Sequence, residues 1–392
     1  MIKHVSRKVI ITLGIVCSLA TAGAYGQTFT ILHTFTGSPD AGYPVAGVVL
    51  DGRGNIYGAT MFDGENQEGA VFRIDSDGEE TVLHSFGTSP SDGVFPEGGL
   101  VADAEGNVYG TTGGGGTHGA GTVFKIDSKG QYSVVYSFKT TAGDAKNPAA
   151  GLVLDKAGNL YGTSPSGGAA AAGAIYQISN KGREKVIYSF TGSPNGATSD
   201  ADLVRDSSGN LYGTTIAGGA ANLGTAFKLN PEHRAKVLFS FPGGRRGQNP
   251  TTALVRDATG YLYGTIGAYY LPPSYTTLFQ GMIFKLNSSG AETVLHVFTG
   301  GDDGGNPHPT LVRDATGNLY GGTGTGGAFG CGTVFKLDPR RHLTVLYSFT
   351  GGADGCGPTN LTLDSEGNLY GMSGANGFTA PNHGTVFKIT LR

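Results

Sequence analysis

The sequence predicts an all-β fold, a seven-bladed β-propeller of four-stranded antiparallel blades. Three observations predict it. A unit of about 50 residues recurs seven times, each unit contains four short runs rich in β-branched and aromatic residues, and Gly, Asp, Asn and Pro separate these runs. Repeats of this length with four strands are typical of propeller blades.

Each unit divides into strands A to D, most clearly in residues 310–349. There the predicted strands A, B, C and D cover 310–314, 318–323, 333–338 and 343–349. A Phe closes strand D at steps of 51, 52, 52, 51, 57 and 51 residues, at Phe35, Phe86, Phe138, Phe190, Phe241, Phe298 and Phe349. The blades are predicted over 44–86, 96–138, 148–190, 199–241, 250–298, 307–349 and 358–390 plus 28–35.

The two ends of the repeat array predict how the ring closes. Residues 28–35 read as a D strand with no A, B or C strand before it, whereas the last repeat supplies only A, B and C. We therefore expect the N-terminal strand to complete the last blade. This pairing removes the free edges at which the ring would otherwise open.

Residues 1–26 have the three parts of a secretory signal peptide. Lys3, Arg7 and Lys8 precede an apolar run over 9–20, and small residues follow it. The run is short for a membrane span, so we expect cleavage, export to the periplasm or the medium, and no membrane span in the mature chain; a retained N-terminal anchor is the alternative. The propeller is assigned to residues 28–392.

Charge and motifs exclude several classes of protein. Removing the leader takes away three basic residues and no acidic one, which changes the formal net charge from −3 to −6. The basic pairs Arg245-Arg246 and Arg340-Arg341 form no extended stripe, so nucleic acid is not an expected partner. No nucleophile elbow, zinc-protease or Walker motif occurs, which argues against an enzyme. We expect a monomer.

Two cysteines follow the leader, Cys331 in a B-to-C loop and Cys356 in the next D-to-A crossing. Because adjacent strands alternate in direction, both loops emerge on the same face. In an oxidising compartment this placement predicts a disulfide. The alternative is a pair of free thiols that share a face.

Several chemically tempting residues recur at equivalent positions and have structural explanations. His33, His84 and His296 occupy a slot that holds Tyr or Phe in other blades, so we expect them to pack as part-buried rings. An Asp ends strand A before each hairpin, which is the role of a turn cap. The basic residue of strand C is expected to be an outer, solvated side chain.

One loop is longer than the equivalent loops of the other repeats, and it is the first candidate for a binding site. The B-to-C loop after Thr265 is about six residues longer than its equivalents, and its aromatic residues are Tyr269, Tyr270, Tyr275 and Phe279. Exposed aromatic rings are suited to stacking on a sugar or anchoring a protein partner. The alternative is that the loop folds back over its blade as a cap.

Other non-recurring polar residues also lie on this long-loop face, which bears the D-to-A crossings and B-to-C loops. The candidates are Asp302, Asp303, His308 and His383. Carboxylates and imidazoles on one face are suited to binding a divalent cation or to acid–base chemistry. Their spacing matches no metal motif, so no cofactor is predicted.

The repeat closely resembles that of the choice-of-anchor GloVer-containing bacterial proteins. The resemblance rests on the recurring order Tyr-Ser-Phe-Thr-Gly, Asp-x-x-Gly-Asn-Leu-Tyr-Gly and Gly-Thr-Val-Phe-Lys, and it covers residues 28–392. It implies a secreted or surface-displayed repeat protein and transfers no activity to particular residues. The repeat is more distantly similar to NHL-type and lactonase-type propellers, a likeness of fold alone.

These observations favour an exported binding module that takes a carbohydrate, a protein or another extracellular macromolecule through the long-loop face. A hydrolase or lyase with a metal-assisted site at the channel mouth is the second hypothesis, and a scaffold without a ligand is the third. Carboxylates and histidines converging at the channel would favour the enzyme. A channel mouth lined only by Gly, Ala and Thr would exclude the hydrolase or lyase hypothesis.

Overall fold

The structure is a computed structural model that describes residues 26–44, 46–270, 278–374 and 383–391. The predicted leader lies almost wholly outside these residues. Within them the chain is all-β apart from one short 3₁₀ turn, Gly244–Arg246. None of the described residues forms a helix long and apolar enough to cross a membrane.

The predicted seven-bladed propeller is confirmed. In every blade, strand A pairs with B, B with C, and C with D, all antiparallel. The A strands are Val49–Leu50, Val101–Ala102, Val153–Leu154, Val204–Arg205, Val255–Arg256, Val312–Arg313 and Thr362–Leu363. The B strands are Ile56–Asp63, Val108–Thr112, Leu160–Ser164, Leu211–Thr215, Leu262–Ile266, Leu319–Thr325 and Leu369–Gly374.

The C and D strands form the outer half of each blade. The C strands are Ala70–Ile74, Thr122–Ile126, Ala174–Ile178, Thr225–Leu229, Met282–Leu286, Thr333–Leu337 and Thr385–Thr390. The D strands of blades 1 to 6 are Glu80–Ser85, Tyr132–Ser137, Glu184–Ser189, Ala235–Ser240, Glu292–Val297 and Leu343–Ser348. Strand A is shorter than predicted in every blade, because the residues before it belong to the crossing from the preceding blade.

The ring closes as the sequence predicts. The N-terminal strand Thr28–Thr34 pairs antiparallel with Thr385–Thr390 and is the D strand of blade 7, with Thr28 opposite Thr390. Phe29 of this strand stacks on Tyr347 of blade 6 at 3.8 Å between ring centroids. The first strand of the chain therefore holds the last blade to its neighbour.

Short extra strands extend the loops of the long-loop face. Three crossings add a strand to strand B or its extension, over Ala41–Pro44, Gly305–Pro307 and Cys356–Pro358. Other loops form two-residue pairs, Gly93–Val94 with Gly114–Gly115, Ala145–Lys146 with Ser166–Gly167, and Tyr269–Tyr270 with Leu278–Phe279. These pairings fix the loops against the blades.

The core consists of aromatic contacts between neighbouring blades. Each closing Phe is buried and packs against the strand C aromatic ring of the next blade, edge-on in six of the seven pairs; Phe190, for example, lies 5.3 Å from Phe227. The tip of that ring points at the Gly in the middle of strand B of its own blade. A Cβ on Gly213 would lie 2.8 Å from Cζ of Phe227. This strand glycine therefore makes room for an aromatic ring.

The A-to-B hairpins are built on the recurring Asp, as predicted. In blade 3, Asp155 accepts hydrogen bonds from the backbone of Ala157 and Asn159, from the Asn159 side chain and from the Tyr161 hydroxyl, at 2.9 to 3.0 Å. Burial alone would raise the pKa of these carboxyls, but the hydrogen bonds outweigh it and hold the pKa below its usual value. This applies to Asp51, Asp103, Asp155, Asp206, Asp257, Asp314 and Asp364.

A disulfide joins Cys331 of the blade 6 B-to-C loop to Cys356 of the next crossing, with their Cα atoms 4.8 Å apart. The backbone N–H of Gly357 also donates to the carbonyl of Cys331 at 2.7 Å. The covalent bond and the hydrogen bond therefore fasten the same crossing to the same loop.

Candidate functional site

The long blade 5 loop is divided between a folded-back part and an exposed part. Phe279 is buried, and the half-buried Tyr269 packs beside it at 4.9 Å while its hydroxyl donates to the carbonyl of Gly244. Tyr270 is 55% exposed. Tyr275 lies outside the described residues. Tyr269 and Phe279 thus fold back over the blade as a cap. Of the three aromatic residues of this loop that the structure describes, Tyr270 is the one whose ring is exposed to solvent.

The polar candidates of the crossings do not come together. Asp303 accepts a hydrogen bond from His296 at 3.0 Å, on the outer edge of blade 5, and its neighbour Asp302 is exposed. His308 is half-buried, and a Cβ on Gly324 would lie 3.4 Å from its Nε2. Burial lowers the pKa of His308 to about 4, so the imidazole is neutral at physiological pH.

His383 is the predicted candidate that the structure does place in contact with a neighbouring blade. Its Nδ1 lies 2.6 Å from Oδ2 of Asp63, and its ring packs edge-on against Tyr43 at 5.2 Å. Asp63 ends strand B of blade 1, whereas His383 precedes strand C of blade 7. The pair therefore joins two neighbouring blades on the long-loop face.

Three carboxylates that the sequence analysis did not single out meet at the mouth of the central channel. Glu97 and the pair Asp200 and Asp202 stand just before strand A in blades 2 and 4. Blades 2 and 4 are not neighbours, so side chains from both can approach one another only near the axis of the ring. Asp202 does so, because its Oδ2 would lie 3.7 Å from a Cβ on Gly99 of blade 2.

Asp202 also bridges two neighbouring blades. Its Oδ1 accepts a hydrogen bond of 2.6 Å from the backbone N–H of Gly151 in blade 3. We call Glu97, Asp200 and Asp202 the acidic group. The equivalents of Asp202 in the other blades are small or uncharged, Gly47, Gly99, Gly151, Ala253, Thr310 and Asn360.

The acidic group is partly desolvated and mutually repulsive. Burial, followed by the charges of Glu97 and Asp202, raises the pKa of Asp200 to about 6. Burial also raises the pKa of Glu97 and of Asp202, although the Gly151 hydrogen bond opposes the rise at Asp202. Oδ1 of Asp200 is inaccessible to solvent and lacks a hydrogen-bond partner among the described residues. The group therefore has unused capacity to accept hydrogen bonds.

A ring of left-handed residues runs around the long-loop face, one at each junction between blades. One residue of each crossing has a φ between 49° and 58° and donates its backbone N–H to the B-to-C loop of the preceding blade. The seven positions are Tyr43, Phe95, Asn147, Thr198, Asn249, Asn306 and Gly357. Asn and Gly adopt this conformation readily, but for a bulky aromatic residue it costs about 1–3 kcal/mol. Tyr43 and Phe95 are thus held in a backbone conformation that bulky aromatic residues disfavour.

These two residues belong to an aromatic group beside the acidic group. Phe62 lies between them, 6.0 Å from Tyr43 and 6.1 Å from Phe95, and all three rings are half-buried. A Cβ on Gly113 would lie 3.6 Å from Cδ of Glu97 and 3.7 Å from the carbonyl oxygen of Phe95. The aromatic group (Tyr43, Phe62 and Phe95) and the acidic group therefore adjoin through the backbone of Phe95 and the side chain of Glu97. Together we call them the channel-mouth site.

The channel-mouth site predicts a pH dependence of stability. Because the folded-state pKa of Asp200 is raised to about 6, its ionisation costs stability above that pH and the cost is relieved as the pH falls. We expect the free energy of unfolding, measured by urea denaturation in EDTA, to be higher at pH 5 than at pH 8. Asp200→Asn should reduce this difference, whereas Asp302→Asn at an exposed position should leave it unchanged.

Below about pH 4 the trend reverses. The Asp residues of the A-to-B turns have lowered folded-state pKa values, so the stability that they contribute is present above the unfolded-state pKa and is lost as the pH falls through the folded value. A variant Asp200→Asn that keeps the full difference between pH 5 and pH 8 would contradict the assignment of that difference to the channel mouth.

Comparison with known proteins places the chain in a sequence family and among propellers. The model of the Gloeobacter/Verrucomicrobia repeat matches residues 11–206, 91–279 and 271–392. No curated protein matches the chain. Two solved structures of an extracellular domain from B. thetaiotaomicron, described as belonging to a one-component or a hybrid two-component system, superpose with TM-scores of 0.58 and 0.59 at 12% and 13% identity.

These likenesses concern the fold alone. The superpositions cover 93% and 92% of this chain but only 40% and 39% of the B. thetaiotaomicron chains, so this chain spans about two fifths of their length. A gluconolactonase from Xanthomonas campestris matches at 14% identity and a TM-score of 0.45, over 74% of this chain and 83% of that one. At these identities no residue role transfers.

Proposed function

The chain belongs to the Gloeobacter/Verrucomicrobia repeat family, and from that premise we propose that it is an exported module that binds a neutral carbohydrate at the channel-mouth site. The single observation that carries the proposal is the adjacency of the aromatic group and the acidic group on the long-loop face. Aromatic rings pack on the apolar faces of sugars, and carboxylates accept hydrogen bonds from their hydroxyl groups.

Charge narrows the class of ligand. Three carboxylates at the mouth repel phosphates, nucleic acids and acidic sugars, because like charges in a partly desolvated site disfavour one another. A neutral or amino-bearing sugar meets no such repulsion.

Export has separate support. The pattern of residues 1–26 is that of a signal peptide, and the disulfide between Cys331 and Cys356 suits an oxidising compartment. We propose a periplasmic or extracellular location on these two grounds.

To test the binding proposal, each aromatic residue is replaced by the residue that stands at the equivalent position in other blades. Asn occupies the left-handed position of Tyr43 and Phe95 in three other blades, so Tyr43→Asn and Phe95→Asn remove the ring without disturbing the backbone. We expect each to weaken binding of a neutral oligosaccharide by about tenfold to a hundredfold, since burying an aromatic side chain contributes roughly 1.5–3 kcal/mol. The measurement is calorimetric titration after a screen of neutral glycans.

Thr198→Asn is the matched control, because it makes the same substitution in the same ring at a position without an aromatic neighbour in the group. It should bind as the unmodified protein does. If Tyr43→Asn and Phe95→Asn retain full affinity, the channel-mouth site is not where the sugar binds. If no neutral glycan in the screen binds, the carbohydrate proposal fails and a protein partner or a scaffold becomes the better hypothesis.

A hydrolase or lyase is the second candidate, favoured by one observation. The carboxyl of Asp200, with its pKa raised to about 6, is suited to general acid catalysis beside the second carboxyl of Glu97. The residues first considered for this role, Asp302, Asp303, His308 and His383, are dispersed and do not support it. Cleavage of a bound glycan that is lost in Asp200→Asn, with binding retained, would favour the enzyme.

A further inference from the structure

The outer edges of adjacent blades are joined by a recurring three-residue arrangement. It consists of a ring two residues before the closing Phe, an acidic residue of the following crossing, and the first residue of strand D in the next blade. Between blades 1 and 2 these are His84, Asp92 and Tyr132. Asp92 lies 3.0 Å from His84 Nε2 and accepts a 2.6 Å hydrogen bond from the Tyr132 hydroxyl, and the two rings stack. This arrangement is complete within the protein.

A glutamate replaces the tyrosine at three of these junctions, and two of the three have a cation supplied by the chain. Glu292 is paired with the guanidinium of Arg246 at 3.0 Å. At Glu184, burial and the charge of Asp144 raise the pKa of the carboxyl to about 7, and the attraction of Lys139 opposes them. A fixed positive charge therefore accompanies each of these two carboxylates.

The third glutamate, Glu80, stands at the ring closure and faces His33 and Asp40 instead. His33 lies on the closing strand Thr28–Thr34, and Asp40 lies on the crossing into blade 1. Among the described residues, this is the one group of three His, Cys, Asp or Glu side chains whose ligand atoms all lie within 4.8 Å of one another. Within the part of the chain that the structure describes, the charges that act on the Glu80 carboxyl are those of Asp40 and His33, whereas Lys139 and Arg246 act at the other two junctions.

Two ligand atoms of this group lack a hydrogen-bond partner among the described residues. His33 Nε2 and Glu80 Oε1 are both inaccessible to solvent and form no hydrogen bond with the described residues. His33 Nε2 is 3.7 Å from Oδ2 of Asp40, too far for a hydrogen bond, whereas the equivalent distance at His84 is 3.0 Å. Oε1 of Glu184 and Oε1 of Glu292 also lack a hydrogen bond to the described residues, so the atom that distinguishes this junction is His33 Nε2. A buried polar atom without a hydrogen bond is costly, which points to a group that the protein does not itself supply.

We propose that His33, Asp40 and Glu80 bind a divalent transition-metal ion of the zinc class, which fastens the N-terminal strand to blade 1. One imidazole and two carboxylates form a ligand set that such ions accept, with water completing a tetrahedral shell. The ion takes the position that a guanidinium holds at Glu292. Because His33 is on the closing strand of blade 7 and Glu80 is on blade 1, the ion joins the two ends of the ring.

The test is zinc titration of the mature protein after removal of metals with EDTA. We expect one tightly bound Zn²⁺ per chain by calorimetry and a rise of about 2–4 °C in the thermal midpoint at saturation. Mg²⁺ at the same concentration should give no comparable rise, because it prefers an octahedral shell of oxygens. Hydrogen exchange of the amides of residues 28–34 should slow when zinc is added.

Two variants rebuild the metal-free junctions found elsewhere in the ring. Glu80→Tyr recreates the arrangement of Tyr132, and His33→Tyr recreates a ring found at other junctions; both should lower zinc affinity at least a hundredfold and keep a folded protein in EDTA. Glu184→Gln, at the same position of another junction, is the matched control and should leave zinc affinity unchanged.

Three outcomes overturn the proposal. Zinc that binds Glu80→Tyr and His33→Tyr as it binds the unmodified protein is held by other histidines, such as the exposed His342. Absence of zinc binding to the unmodified protein means that Glu80 is satisfied by a proton instead. Binding that leaves exchange in residues 28–34 unchanged excludes the fastening role.

Discussion

A chain that begins after the closing strand, at residue 37, should fail to form a closed ring. Deleting residues 1–36 removes the whole D strand of blade 7 and leaves Thr385–Thr390 as an unpaired edge. It also removes Phe35, which is fully buried against Phe72 of blade 1 at 5.1 Å. We expect loss of the single cooperative thermal transition and aggregation during gel filtration, because exposed strand edges pair between molecules.

The control is a chain that begins at residue 27 and so keeps the closing strand; it should unfold at the same temperature as the mature protein. A synthetic peptide of residues 26–36, added to the shorter chain, should restore part of the cooperative transition by pairing with the open edge. A shorter chain that melts cooperatively at the original midpoint would show that closure by this strand contributes little to stability.

The sequence was sufficient to predict the fold because each blade repeats the same pattern of strands and turn residues. The four runs, the Asp at the end of strand A and the closing Phe recur with a period near 51 residues, and contacts within one blade need only local pairing. Ring closure was predictable for the same reason, since residues 28–35 match a D strand that has no other partners. The predicted seven-bladed fold and its closure by the N-terminal strand were therefore confirmed.

The channel-mouth site could not be recognised in the same way. Glu97 and Asp200 are about 100 residues apart, and their proximity depends on how far the ring curves between blades 2 and 4. The unusual length of the blade 5 loop made that loop the first candidate instead, but its residues Tyr269 and Phe279 pack against the blade. A signal was nevertheless present, because Asp202 is the one acidic residue at its position among the seven repeats.

The glycines show a further limit of local interpretation. The sequence predicts that Gly, with Asp, Asn and Pro, separates the strands, but one periodic Gly lies in the middle of strand B. In blade 4 this is Gly213, and the ring that covers it, Phe227, follows 14 residues later. Only the pairing of strand B with strand C places the two residues opposite each other.

Phe227→Ala should lower the free energy of unfolding by about 3–5 kcal/mol, because it leaves a cavity in a site that is 1% exposed. Gly213→Ala alone should cost about 1–3 kcal/mol, since its Cβ would lie 2.8 Å from Cζ of Phe227 and 3.0 Å from Cδ2 of Leu203. In the double variant the new methyl group enters the space that the ring has left. We therefore expect the double variant to lose less than the sum of the two single losses.

Urea denaturation of the four proteins measures this coupling, which should be about 0.5–3 kcal/mol for residues in direct contact. Gly52→Ala is the control, because an added Cβ there meets no atom within 4 Å and should change stability by less than about 0.5 kcal/mol. If the losses of stability in the two single variants are fully additive in the double variant, Gly213 is present in strand B for a reason other than contact with the ring of Phe227. Coupling of the expected sign would extend to all seven blades, since a strand C aromatic ring faces the equivalent glycine in each of them.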